Sequence, residues 1–465
     1  MRFDRRGHGC LLGAQRPWPG RRRHDEQAPR TDPRRRSLIG AAPHPEGGAR
    51  TCSSIGVREL RRHPCGGGVS RPGSRFPRVP RARRRATSPT GRNGAATDPE
   101  VAEDYRRRCH HWQRTLYDNG WAGVAWPKGF GGRGGTPADQ IIFNQELAKF
   151  DATSGFLAVG MGLVGPTLMA HGTREQQQRH LTPLLRGDEV WCQLFSEPGA
   201  GSDLASLATR AIRDGDEWIV NGQKVWTSSA QHADFGILLT RTDPDAAKHG
   251  GITYFIVDMR TPGIEVRPLV QAQGVAHFNE VFLSDVRIPA ANMVGDENGG
   301  WTVARTTMRN ESAMISGGGQ ATTFATVLST ARRCGRTDDP IVRQELAKVW
   351  GNEQILRYLS MRTQTAVMTG RRELAVHGSL LKNFFTRSFT HRGTLGVHLE
   401  GAEGMLDADA EGAGFWQYQC INQFAPRIGG GTEEVHRNNL AEQVLGLPRE
   451  PTSDHDVPWS QSRRA

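Results

Sequence analysis

The sequence predicts an α+β multidomain chain: an N-terminal α-helical domain, a middle antiparallel β domain and a C-terminal antiparallel helical bundle. Two observations carry this. The apolar residues recur at helical spacing up to about residue 188, alternate or run short to about 298, and return to helical spacing beyond. The middle stretch also holds hairpin dipeptides between its apolar runs, whereas the last stretch holds long amphipathic segments joined by short loops. The expected divisions are 1–98 (a disordered basic extension), 99–188, 189–298, 299–450 and a tail, 451–465. No internal repeat stands out.

In the first helical region, TPADQIIFNQELAKF reads as a capped helix. Thr136 caps, Pro137 takes the first position, and Ile141, Ile142, Phe143, Leu147 and Phe150 form an apolar face. Thr173 is a second cap, ahead of a mixed charged run. In the β region, ATRAIRDGDEWIVNGQKVWTSS carries two hairpin signals, Asp214-Gly215 and Asn221-Gly222. FGILLTRT, ITYFIVDM, GIEVRPL and NEVFLSDVRI follow as further strands. In the third region Asp339 caps and Pro340 opens a run with Ile341, Leu346, Val349, Trp350, Leu356 and Leu359 on its apolar positions. Ser379 starts another, SLLKNFFTRSFTH.

The chain has 465 residues and a formal net charge of +12, but the charge is uneven. Residues 1–95 hold 23 Arg against 6 acidic residues and carry +17, which leaves the rest at −5. This leader is rich in Arg, Pro and Gly and lacks an apolar period, so it builds no core. As a nucleic-acid-binding tail it lacks interleaved aromatics. As a transit peptide it has too much proline and glycine for an amphipathic helix. An upstream extension or misread coding start is the preferred reading. The seven cysteines form no CxxC pair and no metal-like grouping with histidine, so a reducing, cytoplasmic setting without a metal is expected. No apolar run reaches membrane-spanning length. The body calls for neither nucleic acid nor a membrane span.

Chemistry concentrates in two stretches of the β region. In CQLFSEPGAGSDLASL, Gly199 and Gly201 let backbone amides approach a ligand, and Ser196 and Ser202 offer hydroxyls. NGQKVWTSSAQHADF follows, with Trp226 beside Thr227 and Ser228. That tryptophan reads either as core or as a face for a flat cofactor. Near the end, RIGGGTEEVHRN offers three glycines and then Thr432 as a helix cap. Its Glu433 and Glu434 suit the positive end of a helix dipole.

Taken together, SEPGAGSDLA, NGQKVWTS, GWTVARTTMRNE and GGGTEEVHRNNLAEQVLGLPRE resemble the acyl-CoA dehydrogenase family, especially its actinobacterial branch. GWAGVAWPKGFGG and HGTREQQQRHLTPLLRGD resemble that family's N-terminal helical domain, and the likeness runs from about residue 99 to 455. The resemblance implies FAD between the β domain and the bundle, and α,β-dehydrogenation of an acyl-CoA thioester. It also implies electron-transfer flavoprotein as the electron acceptor and a homodimer, a homotetramer or a mixed oligomer. Carried over by position, it implies that Phe195 and Ser196 face the flavin, with Gly201 and Ser202 beside it and Ser202 also near the substrate. Trp226, Thr227 and Ser228 would lie along the ring system. His398, Gly401, Thr432 and Glu434 would reach the rest of FAD, although His398 and Glu434 stand where many members have glutamine.

Many members of the family carry a glutamate base just before the glycine-threonine pair of the last loop. Here that slot is Gly430, which keeps only its N–H as a donor to the substrate carbonyl. A second branch places the base early in the bundle, and that position is Glu311, an acid between Met308 and Met314 on a predicted helix. Glu311 is therefore the expected general base. Two departures favour an alternative, a catalytically silent or partner-dependent subunit. Ser312 stands where the family commonly has arginine, and Arg332 and Arg333 are out of register with the arginine that reaches FAD across a subunit interface. Gly317, Gly318 and Gly319 leave room near the helix without naming the acyl group.

Overall fold

The computed structural model describes residues 99–147, 154–317, 322–371, 376–406, 414–449, 451 and 457–462. The basic extension, Phe150, Gly318 and Gly319 lie outside the described residues, as do the side chains of Ser312 and Met314.

Four helices open the described chain: α1 (Pro99–Asp118), α2 (Pro137–Leu147), α3 (Gly165–His171) and α4 (Arg174–Arg186). Thr173 begins α4 as a full capping box, its hydroxyl accepting from the Gln176 N–H while the Gln176 side chain accepts from the Thr173 N–H. At α2, Thr136 and Asp139 cap each other reciprocally, at 2.8 and 3.2 Å. Among the described residues of the apolar face expected there, only Phe143 is fully buried, stacked on Trp121 at 5.7 Å.

Seven strands form one mixed sheet: β1 (Trp191–Leu194), β2 (Arg210–Asp214), β3 (Glu217–Ser228), β4 (Phe235–Arg241), β5 (Ile252–Asp258), β6 (Ile264–Leu269) and β7 (Phe278–Pro289). Most pairings are antiparallel, as expected; β1 alone runs parallel to β4 along its length. Asp214-Gly215 makes the β2–β3 hairpin, with Asp214 opposite Glu217. Asn221-Gly222 does not turn the chain. It lies inside β3 at a register shift against β7, so the second hairpin expectation is corrected. Two contacts decide this. The Asn221 side chain bonds the Asp285 backbone N–H and carboxylate, both at 2.9 Å, and so ties β3 to β7. Gly222 presses on Thr209, whose Oγ1 would lie 2.4 Å from an added Cβ.

The bundle comprises α5 (Gly300–Gly317), α6 (Phe324–Arg333), α7 (Pro340–Thr369), α8 (Gly378–Glu400), α9 (Phe415–Asn422), α10 (Phe424–Ile428) and α11 (Glu433–Gln443). Asp339 caps α7 by accepting from the N–H groups of Ile341 and Val342. Leu346, Val349 and Leu356 are buried as their spacing predicts, but Ile341 and Trp350 are exposed on the same helix. One core stitches the regions together. Leu168, Leu181 and Leu184 of the first helices, Trp191, Tyr254 and Ile256 of the sheet, and Val303 and Ala304 of α5 all belong to it. Part of the expected tail is also built into the fold. Trp459 donates its ring N–H to the Ser206 carbonyl at 3.2 Å and lies 4.9 Å from the Arg241 guanidinium.

Helix α9 sits on α8 through Gly396, where an added Cβ would fall 2.0 Å from the Trp416 ring. Trp416 is buried and donates to Thr330 Oγ1 at 2.8 Å, so it has little freedom to withdraw. Gly396→Ala is expected to destabilise the bundle by about 1–3 kcal/mol, read as a lower urea midpoint at unchanged slope.

Candidate active site

The loop after β1 is held from beneath. Lys224, fully buried on β3, donates to the Phe195 carbonyl at 3.0 Å and to the Glu197 carboxylate at 2.8 Å. Glu197 also accepts from the N–H groups of Ala208 and Thr209. Burial opposes ionisation of Glu197, but Lys224 and these donors hold its carboxyl below the ordinary value. Anchored this way, the loop presents Gly199, Gly201 and Ser202 outward, and an added Cβ at either glycine would meet nothing within 4 Å. Such an uncluttered backbone suits a ligand that must come close.

Beside it runs the edge of β3. The Val225 N–H donates to the Ser196 carbonyl at 2.9 Å, which brings Ser196 and Trp226 together. Trp226 occupies the irregularity between Lys224 and Thr227, has φ 62°, and is 59% exposed. A bulky residue is uncommon in that backbone region, and beyond an edge contact with Phe278 at 6.0 Å its ring is largely open. Thr227 is buried and its Oγ1 has no hydrogen-bond partner, while Ser228 is half-buried next to it. Exposed indole, unpartnered hydroxyl and open glycines together fit a flat, polar-edged group such as a flavin. Phe195 differs from its neighbours. Its ring packs into the core against Tyr254 at 5.9 Å, which leaves its backbone to meet a ligand.

Glu311 lies on α5 and turns inward. Burial raises its carboxyl above the ordinary value, and a hydrogen bond with Gln193 of β1 and the charge of Lys382 on α8 offset this only in part. Gln193 is three residues before Ser196, so Glu311 meets the strand that leads into the loop of Gly199 and Gly201. On the other side, Lys382 is buried and donates to the Gly429 carbonyl. The Gly430 carbonyl bonds His436 Nε2 at 3.0 Å. Glu311 thus meets Gln193 on one side, and on the other the charge of Lys382, which is itself bonded to the closing glycine loop. Sequence reasoning missed Gln193 and Lys382; the only signal was a lysine at an apolar-face position of SLLKNFF.

The remaining candidates lie apart, at the start of α11 and at the far end of α8. Thr432 caps α11, accepting from the Val435 N–H at 3.2 Å. Glu434 is exposed on the first turn, but Glu433 is buried, bonded by Thr386 Oγ1 at 2.7 Å and paired with Arg427. His398 is exposed on α8, roughly 24 Å along the helix from Lys382 at 1.5 Å per residue. Gly401, just beyond, has φ 62°. Arg332 and Arg333 are exposed, and Arg333 pairs with Glu400 at 2.6 Å. None of the described helices is long and apolar enough to cross a membrane.

Comparison with known proteins bears on the family and the fold. The acyl-CoA dehydrogenase N-terminal, middle and C-terminal domain descriptions match residues 94–188, 192–286 and 298–445. Acyl-CoA dehydrogenase IpdE1 of Mycobacterium tuberculosis is 38% identical over 364 residues, 77% of this chain and 92% of the relative. Acyl-CoA dehydrogenase FadE34 of the same organism is 41% identical over 352 residues, 72% of this chain but 46% of that longer protein. Among solved structures, the Tcur3481-Tcur3483 steroid ACAD superposes with a TM-score of 0.66 at 32% identity, covering 74% of this chain and 90% of the other. The ChsE4-ChsE5 complex from M. tuberculosis gives 0.63 at 31%, covering 76% and 94%. With all three domain descriptions matched in order across the α–β–α body, the chain belongs to the acyl-CoA dehydrogenase family, with close actinobacterial relatives.

Proposed function

We propose that the protein catalyses FAD-dependent α,β-dehydrogenation of an acyl-CoA thioester, with Glu311 as the base that takes the α-proton. The observation that carries this reading is the inward-facing Glu311, its carboxyl raised by burial and bonded to Gln193 on the strand that enters the glycine loop. A carboxylate with little water around it is a stronger base than a solvated one, and a raised value brings it nearer the working pH. The Gly430 N–H is the donor to the thioester carbonyl, where charge develops as the proton leaves. Ser202 lines the substrate side. Ser196, Gly201, Trp226, Thr227, Ser228 and the Phe195 backbone hold the flavin end of FAD, and His398, Gly401, Thr432 and Glu434 hold the remainder. When bound, FAD supplies the acceptor for the hydride that leaves the β-carbon. Electrons pass on to electron-transfer flavoprotein, and the enzyme works in the cytoplasm as a homodimer or homotetramer.

The test is to purify the chain, record its visible spectrum, and titrate it anaerobically with straight-chain and steroid-derived acyl-CoAs. Bleaching of the flavin band is expected; a yellow protein that no acyl-CoA bleaches rejects the reading. A second reading, a partner-dependent subunit, draws on the two-chain names of the Tcur3481-Tcur3483 and ChsE4-ChsE5 structures and on the Arg333–Glu400 pair, which engages one of the two arginines. It is supported if the chain alone is colourless and gains flavin with a second chain. Within the first reading, Trp226→Ala removes an aromatic face worth about 0.5–1.5 kcal/mol. FAD retention is then expected to weaken roughly 2- to 13-fold by the usual conversion, measured by fluorescence on dilution.

A further inference from the structure

We propose that Lys382 is a positioning residue: it clamps the closing glycine loop to α8, and from that seat its charge acts on Glu311 without touching it. The inference deepens the reading of Glu311 as the base and rests on it for the effect of the charge.

The geometry is specific. Lys382 is buried on the inner face of α8, and its ammonium group donates to the Gly429 carbonyl at the start of the glycine loop. That carbonyl caps a stretch in which Gly430 and Gly431 have φ 68° and 89°, a backbone with no side chains to hold its shape. On the loop's far side His436 bonds the Gly430 carbonyl at 3.0 Å and Ser379 Oγ at 2.9 Å, so α8 and α11 both grip the loop. Burial disfavours the Lys382 cation, while Glu311 on α5 and Glu433 on α11 favour it. Glu433 is already engaged by Arg427 and Thr386. The other titratable groups facing this corner are His436 and, beyond it, His377. On the opposite side of α5, His171 bonds Thr306 and Tyr254 bonds Thr307. The Lys382 ammonium thus bonds the loop that carries Gly430, and its charge favours the ionised form of Glu311 across two helices. A base in the bundle and a carbonyl donor in the loop must keep register with one substrate carbon, and Lys382 fixes the loop side of that register.

Two variants test this in the flavin-loaded protein. Lys382→Met removes the charge and the donor; Lys382→Arg keeps both in a different shape. With Met, the acid limb of the single-turnover flavin-reduction rate is expected to move to higher pH, because loss of the cation leaves the Gln193 hydrogen bond to offset burial at Glu311. The rate on that limb should fall about threefold or more against its own plateau, and Arg should restore most of it. Amide exchange at Gly429–Gly431 should rise with Met and stay near the parent level with Arg. An unmoved limb together with unchanged exchange overturns the proposal. If Glu311→Gln still reduces flavin at the parent rate, the base reading fails on its own; the clamp is then judged by exchange, and the charge effect by carbon-13 titration of the Glu311 carboxyl in parent and Met proteins. Should the Met chain not fold, Lys382→Gln is measured for the same quantities.

Discussion

Glu311→Gln is expected to slow reduction of the bound flavin by acyl-CoA roughly 10²- to 10⁴-fold, the usual contribution of a placed general base. The amide fills the same space, and flavin content should not change. In the parent the rate should rise with pH through the raised value of Glu311, because only the ionised carboxylate takes a proton. In the variant that limb should vanish. Parent-rate reduction by the variant would remove Glu311 from the chemistry. Stability gives an independent sign. Burial makes the folded chain hold the Glu311 proton to higher pH than the unfolded chain does. Between the unfolded and folded values the native state therefore binds more protons, and stability falls as pH rises through that window. Glu311→Gln removes this loss, so the variant should gain stability over the parent on the alkaline side while losing turnover.

Lys224→Met should be the more damaging change to the fold. Lys224 has no exposure and pairs with Glu197 at 2.8 Å, so its removal strands a buried carboxylate. Breaking a buried pair from one side typically costs about 3–5 kcal/mol, here expected in urea unfolding. Flavin content should drop as well, since the same ammonium holds the Phe195 carbonyl beneath the glycine loop. Adding Glu197→Leu should recover only part of the loss, because the Ala208 and Thr209 N–H groups then lose their acceptor. A Lys224→Met chain as stable as the parent would mean that the pair contributes nothing net.

Legibility in the sequence followed the range of the interaction. The caps at Thr173 and Asp339 involve groups two or three residues away, and the structure has them where the spacing puts them. Asn221-Gly222 carried a local hairpin signal, but its partners are Thr209 and Asp285, on other parts of the chain, and they keep it within a strand. The parallel seat of β1 against β4 likewise has no local signature. At the candidate site, the resemblance pointed to Glu311 once Gly430 was seen to lack a carboxylate, and its role remains the proposal. Gln193 and Lys382 were not, since each acquires meaning only where α5, β1 and α8 converge. Trp350 and Ile341 fit an apolar helical period yet remain exposed, because periodicity marks a face without saying what covers it.

The Trp459 contact has a consequence for biosynthesis. Its bond to Ser206 spans 253 positions, and Arg241 stacks on the same indole. A growing chain can therefore complete the sheet's hydrogen-bonded interior while that corner stays open, and seals it only after the entire bundle has been translated. Nascent chains stalled before Trp459 should be cleaved near Ser206 and Arg241 at sites that finished chains resist.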